Sequence, residues 1–368
     1  MAWFHFCSAN HNKTGRSSLV DQADWFKAGL LDLGHKVTFS DSDVEARAIN
    51  IFWEYFLPGM AEEIAKTGIV YGIVATEIPD GSGFNWRQEP WWQIRFESFH
   101  EVASRASFIW SMAESAVPFY SQFCPTAYME LGFSERLIPD YIDEKPEHDF
   151  CFFGQRTLYR DEAIKKIRKY ANVEWPEMFP SSDEVGKLIG KSKIGLCFKQ
   201  SEQWPLPSQT RLGRLTMAKR GVAAEFVTVP TRQGEITGLC PESSDFVDYA
   251  MGMLHSDWKH RAEEVFENYR SEMPMSDIMQ SALDRTIVGI ASTKWKSSMT
   301  AHRTAPEFES RISLRNLNAG GETGHSSANS STGIPARSSL RDNSRAFFSR
   351  FTGMLHRTRE KLGYSKKQ

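Results

Sequence analysis

The alternation of buried strands with amphipathic helices constrains the fold of this chain more than any other feature. Residues 69–76, IVYGIVAT, are continuously apolar and rich in β-branched side chains, as strands covered on both faces of a sheet are. Residues 18–34 carry apolar side chains at helical spacing and end at Gly34. Similar β-α-β units recur along the chain, and they predict an α/β fold with parallel sheets covered by helices.

The pattern is interrupted once and then restarts. Residues 138–148, IPDYIDEKPEH, are rich in proline and charge and have no hydrophobic period, which is typical of a linker between domains. The sequence therefore predicts two Rossmann-like domains, over residues 1–140 and 149–290, that face each other across a cleft. Ligands of open α/β sheets bind at the carboxyl ends of the strands, so we expect the functional site in that cleft.

The composition changes after about residue 297. Residues 319–339, AGGETGHSSANSSTGIPARSS, are dominated by Gly, Ser and Asn, and residues 297–340 are predicted to form a disordered linker. Residues 341–368 carry eight Lys or Arg against two acids, with apolar residues at near-helical spacing, and they predict a basic amphipathic helix. This helix either lies on an anionic membrane surface or stays solvated or docked on a partner, and the sequence leaves both open.

Composition and charge restrict the class of protein. The formal net charge is −2, and because the tail is basic the rest of the chain is acidic, which argues against a nucleic-acid partner. The five cysteines are scattered without a CxxC pair, which favours free thiols in a reducing compartment over a zinc site. No apolar stretch reaches the roughly 20 residues that cross a bilayer. We expect a cytoplasmic protein, with membrane association through the tail as the open alternative.

The segment DFCFFGQRTLYRDEAIKKIRKY, residues 149–170, combines a buried strand, a glycine and a helix start. Gly154 permits close approach of a ligand to the backbone, and the N-terminus of the following helix attracts anions. Arg156 or Arg160 could add a charge-assisted contact to a diphosphate. The alternative is that Gly154 only makes a strand-to-helix turn and the arginines are solvated.

A second segment with the same character is PLPSQTRLGRLTMAKRGVAAEF, residues 205–226. Ser208 and Thr210 open a helix, and Arg211 stands in its first turn, where the helix dipole disfavours a cation. An anionic ligand would explain the arginine, and a salt bridge to Glu202 or another acid would explain it equally well.

These two segments together resemble the donor half of the GT-B glycosyltransferases, most closely the bacterial family 1 or spore-maturation-protein-like branch, over roughly residues 60–270. The resemblance implies that the protein moves a sugar from a nucleotide-sugar donor to a glycan, lipid or small-molecule acceptor, with no metal or other cofactor. The residues that it implies at the nucleotide diphosphate are Gly154, Arg160, Ser208, Thr210 and Arg211. Many members bind the donor ribose with an acid after the arginine, which LGRLTMAKRG lacks, and Glu225 is the nearby substitute. A GT-B-like protein that has lost turnover and binds or scaffolds is the alternative.

Candidate acids for the acceptor side follow the strands of the first half. Glu77 comes directly after the strand at residues 69–76, and the loop beyond it carries Asp80, Asn85, Trp86 and Arg87, a mixture of aromatic and polar groups that suits sugar faces. Glu77 or Asp80 could act as a general base toward an acceptor hydroxyl. Alternatively, Glu77 caps a turn or pairs with Arg87.

Two further catalytic candidates lie after other strands. Glu114 follows the strand at residues 108–112, and His11 lies in the loop after the first strand, where GT-B enzymes commonly place acceptor-side groups. The fingerprints GxGxxG and GxxxxGK[ST] are absent, which excludes the usual dinucleotide and P-loop sites. The letters DSD at residues 41–43 follow a short strand and indicate a solvated turn rather than a metal site.

Overall fold

The computed structural model describes residues 1–8, 13–41, 43–139, 145–176, 180–287 and 311–313 of the 368, with side chains described except at 13–20 and 311–313. His11, the predicted amphipathic helix at 341–368 and most of the predicted linker at 297–340 lie outside the described residues.

The strands are β1 (Trp3–Cys7), β2 (Lys36–Ser40), β3 (Asp43–Glu45), β4 (Ile49–Trp53), β5 (Val70–Ala75), β6 (Phe108–Ser111), β7 (Thr126–Tyr128), β8 (His148–Cys151), β9 (Val173–Glu174), β10 (Ser192–Cys197), β11 (Gly221–Ala224) and β12 (Arg311–Ser313). The helices are α1 (Lys13–Asp32), α2 (Met60–Thr67), α3 (Pro90–Ala103), α4 (Val117–Tyr120), α5 (Leu158–Ile167), α6 (Ser182–Gly190), α7 (Gln209–Met217), α8 (Arg232–Thr237), α9 (Phe246–His255), α10 (Trp258–Glu272) and α11 (Met275–Thr286), with 3-10 turns at Glu114–Ala116 and Glu135–Leu137.

A six-stranded parallel sheet organises the first half of the chain, in the order β2-β1-β4-β5-β6-β7. Its central strands are buried on both faces: along β4, Ile51 and Trp53 belong to one hydrophobic cluster and Phe52 to another. Alternate residues of a strand point to opposite faces, so a continuous apolar run is what a sheet covered by helices on both sides requires. We call residues 1–139 the first lobe.

A four-stranded parallel sheet, in the order β11-β10-β8-β9, organises residues 145–272, which we call the second lobe. It too has a hydrophobic cluster on each face, with Phe150 in one and Cys151 in the other. The predicted α/β fold class with two parallel sheets is confirmed.

The chain then returns to the first lobe through α11. Trp110 of β6 donates its indole N–H to Thr286 Oγ1 at 3.2 Å, and the amide of Met275 donates to the Phe133 carbonyl at 2.6 Å. Met275 and Met279 belong to the same hydrophobic cluster as Phe26 of α1. Residues 275–286, which the sequence groups with the second domain, therefore help to cover the first sheet.

A short strand lies within the segment predicted to be disordered. Residues Arg311–Ser313 form β12, which pairs antiparallel with β3 of the first lobe. These three residues lie within the predicted disordered linker, and the disorder of residues 297–340 stays a prediction. Among the described residues, no helix is long and apolar enough to cross a bilayer.

Candidate functional site

The carboxyl ends of β8, β10 and β11 meet at one edge of the second sheet, because the three strands are parallel neighbours. The chain leaves β8 through Phe152 and Gly154, β10 through Phe198, and β11 through Glu225. The first turn of α7 comes to this edge and brings Arg211 with it. Both segments singled out in the sequence thus contribute to one place.

Arg211 is buried, with 8% of its surface exposed, and it faces Gly154. Its Nη1 donates to the Phe198 carbonyl at 2.9 Å, and its guanidinium carbon lies 5.0 Å from the centroid of the Phe152 ring. Its Nε and Nη2 have no hydrogen-bond partner among the described residues. These two groups form the planar fork that binds carboxylates and phosphates through two parallel hydrogen bonds.

Gly154 leaves the space in front of that fork open. A Cβ at this position would lie 3.2 Å from Arg211 Nη2 and 3.6 Å from Arg211 Nε. The backbone φ of +155° is also one that other residues rarely adopt. The conformation therefore favours glycine here, and a Cβ would crowd the Arg211 fork.

Arg160 is a second buried guanidinium at the same edge. It donates to three backbone carbonyls, those of Lys199 at 2.8 Å, Gln155 at 2.9 Å and Phe198 at 3.4 Å. Burial, and after it the positive charge of Arg211, lowers the pKa of Arg160 to about 9. Arg160 thus ties together the loops after β8 and β10, and it adds positive charge next to Arg211.

Glu225, an acid whose charge acts on Arg160, already accepts hydrogen bonds from other donors. Glu225 Oε2 accepts from the amide of Lys199 at 2.9 Å, and Glu225 Oε1 accepts from the Tyr159 hydroxyl. Burial and the hydrogen bond to this carboxylate raise the pKa of Tyr159. Neither Arg160 nor Arg211 forms an ion pair within the part of the chain that the structure describes. The salt bridge of Arg211 to Glu202, considered from the sequence, is therefore not formed.

The other predicted donor-side residues are spread around this edge. Arg156 pairs with Asp161 at 3.1 Å and stacks on Trp175, with its guanidinium carbon 4.0 Å from the ring centroid. Ser208 is the N-cap residue of α7, but its side chain makes no capping hydrogen bond. Thr210 is half-buried in the first turn of α7.

The edge of the first sheet carries a buried polar network that the sequence does not predict. Glu54 directly follows β4 and is 2% exposed. Its Oε2 accepts from the amides of Thr76 and Glu77, both at 2.8 Å, and its Oε1 lies 2.5 Å from the Tyr120 hydroxyl. That hydroxyl is also 2.9 Å from the Glu77 carbonyl. The same signal that singles out Glu77, an acid directly after a buried strand, could have identified Glu54.

Counting protons indicates that Glu54 is neutral. The Tyr120 hydroxyl has one proton and two neighbouring acceptors, Glu54 Oε1 and the Glu77 carbonyl oxygen. If Glu54 carries a proton on Oε1, it donates to Tyr120, and Tyr120 donates to the Glu77 carbonyl, so every group is satisfied. Burial, reinforced by the negative charge of Glu77, raises the pKa of Glu54 to about 8.

Glu77 lies at the carboxyl end of β5 with both carboxylate oxygens in use. Oε1 accepts from Arg95 Nη2 at 2.7 Å, and Oε2 accepts from the Asn85 side-chain amide. Arg87, considered as its partner from the sequence, lies 3.4 Å from Glu89 instead. Arg95 is enclosed by the rings of Tyr55, Trp91 and Trp92. These tryptophans therefore position Arg95, which in turn binds the Glu77 carboxylate.

Asp80 and Glu114, the remaining candidate bases, differ in environment. Asp80 accepts from the amides of Gly83 at 2.9 Å and Trp86 at 2.6 Å, so it stabilises its own loop. Glu114 is exposed in the 3-10 turn after β6. The predicted catalytic roles of Glu77 and His11 stay predictions.

The two sheet edges meet at the start of α7. Gln209 donates to the carbonyl of Met112 at 2.8 Å and accepts from the amide of Leu131 at 2.9 Å. Met112 directly follows β6, and Leu131 lies three residues after β7. Leu206 belongs to the same hydrophobic cluster as Ile78 and Phe84. The open fork of Arg211 therefore lies two residues from a direct contact with the first lobe.

A cavity of about 590 Å³ lies between α1, residues 136–139 and helices α6 and α7. It differs from the site around Arg211 because its two arginines are already paired with acids. Both Asp21 carboxylate oxygens lie 2.9 Å from Arg214 Nη1, and Asp32 Oδ1 lies 2.6 Å from Arg136 Nε. Within the described residues, no group of three or more His, Cys, Asp or Glu side chains could hold a metal ion.

Comparison with known proteins supports the fold. No family model and no curated protein matches the chain. Among solved structures, a mutant of T4 phage β-glucosyltransferase in complex with UDP-glucose matches with a TM-score of 0.52 at 11% identity, over 78% of this chain and all of that one. The same phage enzyme with its UDP-glucose substrate matches with a TM-score of 0.50 at 12% identity, again over 78% of this chain and 100% of that one.

AviGT4, a glycosyltransferase involved in avilamycin A biosynthesis, matches with a TM-score of 0.46 at 10% identity, over 80% of this chain and 99% of that one. The fold is that of the GT-B glycosyltransferases. The narrower likeness to the spore-maturation branch stays a prediction.

Proposed function

We propose that this protein is a glycosyltransferase that binds the diphosphate of a nucleotide-sugar donor at Arg211 and Gly154. One observation carries the proposal: a buried guanidinium presents an unpartnered Nε–Nη2 fork across a glycine that leaves room for a ligand. A buried charge without a counter-ion is costly, and an anion that accepts two hydrogen bonds from the fork offsets that cost.

The neighbouring groups suit the same ligand. Arg160 brings a second positive charge to the site, while Ser208 and Thr210 offer hydroxyl groups at the N-terminus of α7, where the helix dipole favours an anion. Glu225 is proposed to bind the donor ribose, with Tyr159 orienting its carboxylate. UDP-glucose, the ligand of the T4 phage enzyme of the same fold, is the first donor to test.

On the acceptor side, Glu77 and His11 are the proposed general bases. The acceptor is proposed to be a glycan, a lipid or a small molecule, and contact with a membrane through residues 341–368 belongs to the same proposal. A binding protein without turnover is the second candidate, and one observation favours it: both oxygens of Glu77 are engaged, by Arg95 and Asn85. Such a carboxylate must release a partner before it can accept a proton.

Nucleotide binding by the full chain tests the proposal. Titration with UDP, GDP and UDP-glucose, followed by calorimetry and thermal shift, is expected to show saturable binding and a raised melting temperature for at least one of them. Arg211→Lys keeps the charge but removes the fork, and we expect it to weaken binding by about 10- to 100-fold, as the loss of a charge-assisted bidentate contact does.

Arg214→Lys is the matched control, because it makes the same change one turn along the same helix. Arg214 is bound to Asp21 and to the Ser182 carbonyl, so its replacement should lower the melting temperature and leave nucleotide affinity unchanged. Equal effects of the two variants on affinity, or no response to any nucleotide, would refute the donor site. Hydrolysis of a bound donor separates a transferase from a binding protein.

A further inference from the structure

Trp86 is a large exposed aromatic residue on the loop that follows β5. Its surface is 47% exposed, and among the described residues its indole takes part in no ring contact and no hydrogen bond. Other tryptophans of the same region differ: Trp91 and Trp92 pack on each other and on Arg95. The indole of Trp86 is therefore left free while its neighbours are used for packing.

The loop that presents this indole is held in place from several directions. Pro79 and Phe84 form an antiparallel bridge, and the Phe84 ring is fully buried against Phe96 and Phe99. Asn85 accepts from the amide of Ile78 at 2.9 Å while its side chain donates to Glu77. The position of Trp86 is thus fixed by groups other than its own ring.

The backbone at Trp86 is in a conformation that bulky residues rarely adopt. The φ angles of Asn85 and Trp86 are +58° and +56°, and the Trp86 amide donates to Asp80 Oδ2 at 2.6 Å to hold this geometry. A glycine would adopt the same backbone without strain. Folding therefore does not account for a tryptophan here, whereas ligand binding does.

Charged groups lie near the indole along the loop. The Arg87–Glu89 ion pair lies within three residues of it along the chain, and Asp80, six residues before it, accepts a hydrogen bond from its amide. On the opposite side of the loop, Ile78 and Phe84 share a hydrophobic cluster with Leu206, which precedes α7 and Arg211 by a few residues. An aromatic face among hydrogen-bonding groups matches a pyranose ring, which has an apolar C–H face and a rim of hydroxyls, and it does not match an apolar chain.

We propose that Trp86 is a stacking platform for a pyranose ring of the acceptor, so that the acceptor is a saccharide. This inference rests on the proposed function, because it places the acceptor opposite the donor at Arg211. The indole faces one sugar ring, and the charged groups beside it bind hydroxyls of that ring. Trp86 then determines acceptor specificity and takes no part in donor binding.

The test uses the full chain labelled with 5-fluorotryptophan and followed by ¹⁹F NMR. The chain has 11 tryptophans, and Trp86→Phe assigns the Trp86 signal. The probes are methyl α- and β-glucopyranoside, methyl N-acetylglucosaminide, maltose, cellobiose and uridine, each with and without saturating UDP. We expect at least one saccharide to shift the Trp86 signal saturably. Uridine is expected to leave that signal in place.

Trp86→Gly separates binding from folding. Because glycine relieves the positive φ, this variant should keep or raise the melting temperature and lose at least 10-fold in affinity for the responding saccharide. Tyr170→Ala is the control for removal of an exposed aromatic ring elsewhere, and it should retain that affinity. A lower melting temperature for Trp86→Gly with unchanged saccharide affinity would make Trp86 structural and overturn the inference.

The remaining outcomes distinguish this inference from the proposed function. If UDP binds and no saccharide shifts the Trp86 signal, the platform is refuted and the donor site stands. If only uridine shifts the Trp86 signal, the saccharide platform is also refuted, because the Trp86 indole then binds the donor base. If none of UDP, GDP and UDP-glucose binds and no saccharide binds, the proposed function fails together with the inference.

Discussion

Replacing Glu54 by glutamine tests whether a buried carboxyl group in the first lobe carries a proton. Glutamine keeps the shape of a protonated glutamate. Its oxygen can accept from the amides of Thr76 and Glu77, and its NH₂ group can donate to Tyr120, which then donates to the Glu77 carbonyl. If Glu54 is neutral in the folded protein, Glu54→Gln preserves every hydrogen bond of the network.

The magnitude follows from the pKa of Glu54, which burial raises from 4.5 to about 8. Between these two values the folded chain holds a proton that the unfolded chain has lost, so the free energy of unfolding falls as pH rises. The slope is about 1.4 kcal/mol per pH unit, which makes the full loss between pH 4.5 and 8 about 5 kcal/mol. This contribution to stability is complete below pH 4.5 and is gone above pH 8.

The assay is urea unfolding of wild type and Glu54→Gln at pH 5.5, 6.5 and 7.5. The free energy of unfolding of the variant should rise by about 3 kcal/mol relative to that of the wild type between pH 5.5 and 7.5. The reason is that glutamine does not titrate, whereas unfolding of the wild type releases a proton from Glu54. Glu101→Gln, which removes an exposed glutamate from α3, corrects for the change in net charge. The infrared band of a protonated carboxyl group in the wild type at pH 6.5 should disappear in Glu54→Gln.

The opposite result would refute the reasoning. If Glu54 is ionised, glutamine replaces a buried charge that accepts three hydrogen bonds, and the variant should lose stability at every pH without gaining on wild type as pH rises. If the difference in the free energy of unfolding between variant and wild type stays constant with pH, Glu54 has its ordinary pKa in the folded protein.

Two other predictions concern the site itself. Gly154→Ala should weaken nucleotide binding by about 10-fold or more, because its Cβ would lie 3.2 Å from Arg211 Nη2, and unchanged affinity in a calorimetric titration would show that the ligand lies elsewhere. Gln209→Ala should lower the free energy of unfolding by about 1–3 kcal/mol, because it leaves the Met112 carbonyl and the Leu131 amide without their partner, and urea unfolding with no loss of stability would contradict that contact.

Local patterns predict the strands well and their partners poorly. The apolar run at residues 69–76 becomes β5 (Val70–Ala75) because a strand buried on both faces needs no information beyond its own residues. The amphipathic pattern of α11 shows that the helix has an apolar face, but it cannot show that α1 and β7 cover it, since that depends on residues more than 140 positions away.

The residues of the candidate site also divide into those that local sequence patterns predict and those that they do not. Gly154 and Arg211 are predictable because each stands at a recognisable junction of a strand and a helix. The network around Glu54 is not, because Arg95 and Tyr120 reach it across 41 and 66 residues of chain. His5, in contrast to Glu54, has an environment that its own strand predicts. Its place in an apolar strand indicates a core histidine, and its ring is hydrogen-bonded to Thr38 Oγ1 at 2.8 Å and to the Asp43 carbonyl at 2.9 Å.

The first turn of α7 carries both a contact with the first lobe and the arginine of the candidate site. Gln209 fastens the helix to backbone groups after β6 and β7, and Arg211, two residues on, presents its fork toward Gly154. The backbone atoms of these two residues move together, because both belong to the same hydrogen-bonded helical turn. We therefore expect a ligand that binds the Arg211 fork to change the contact between the lobes, and a change in that contact to alter the affinity for the ligand, since coupling between two sites is reciprocal.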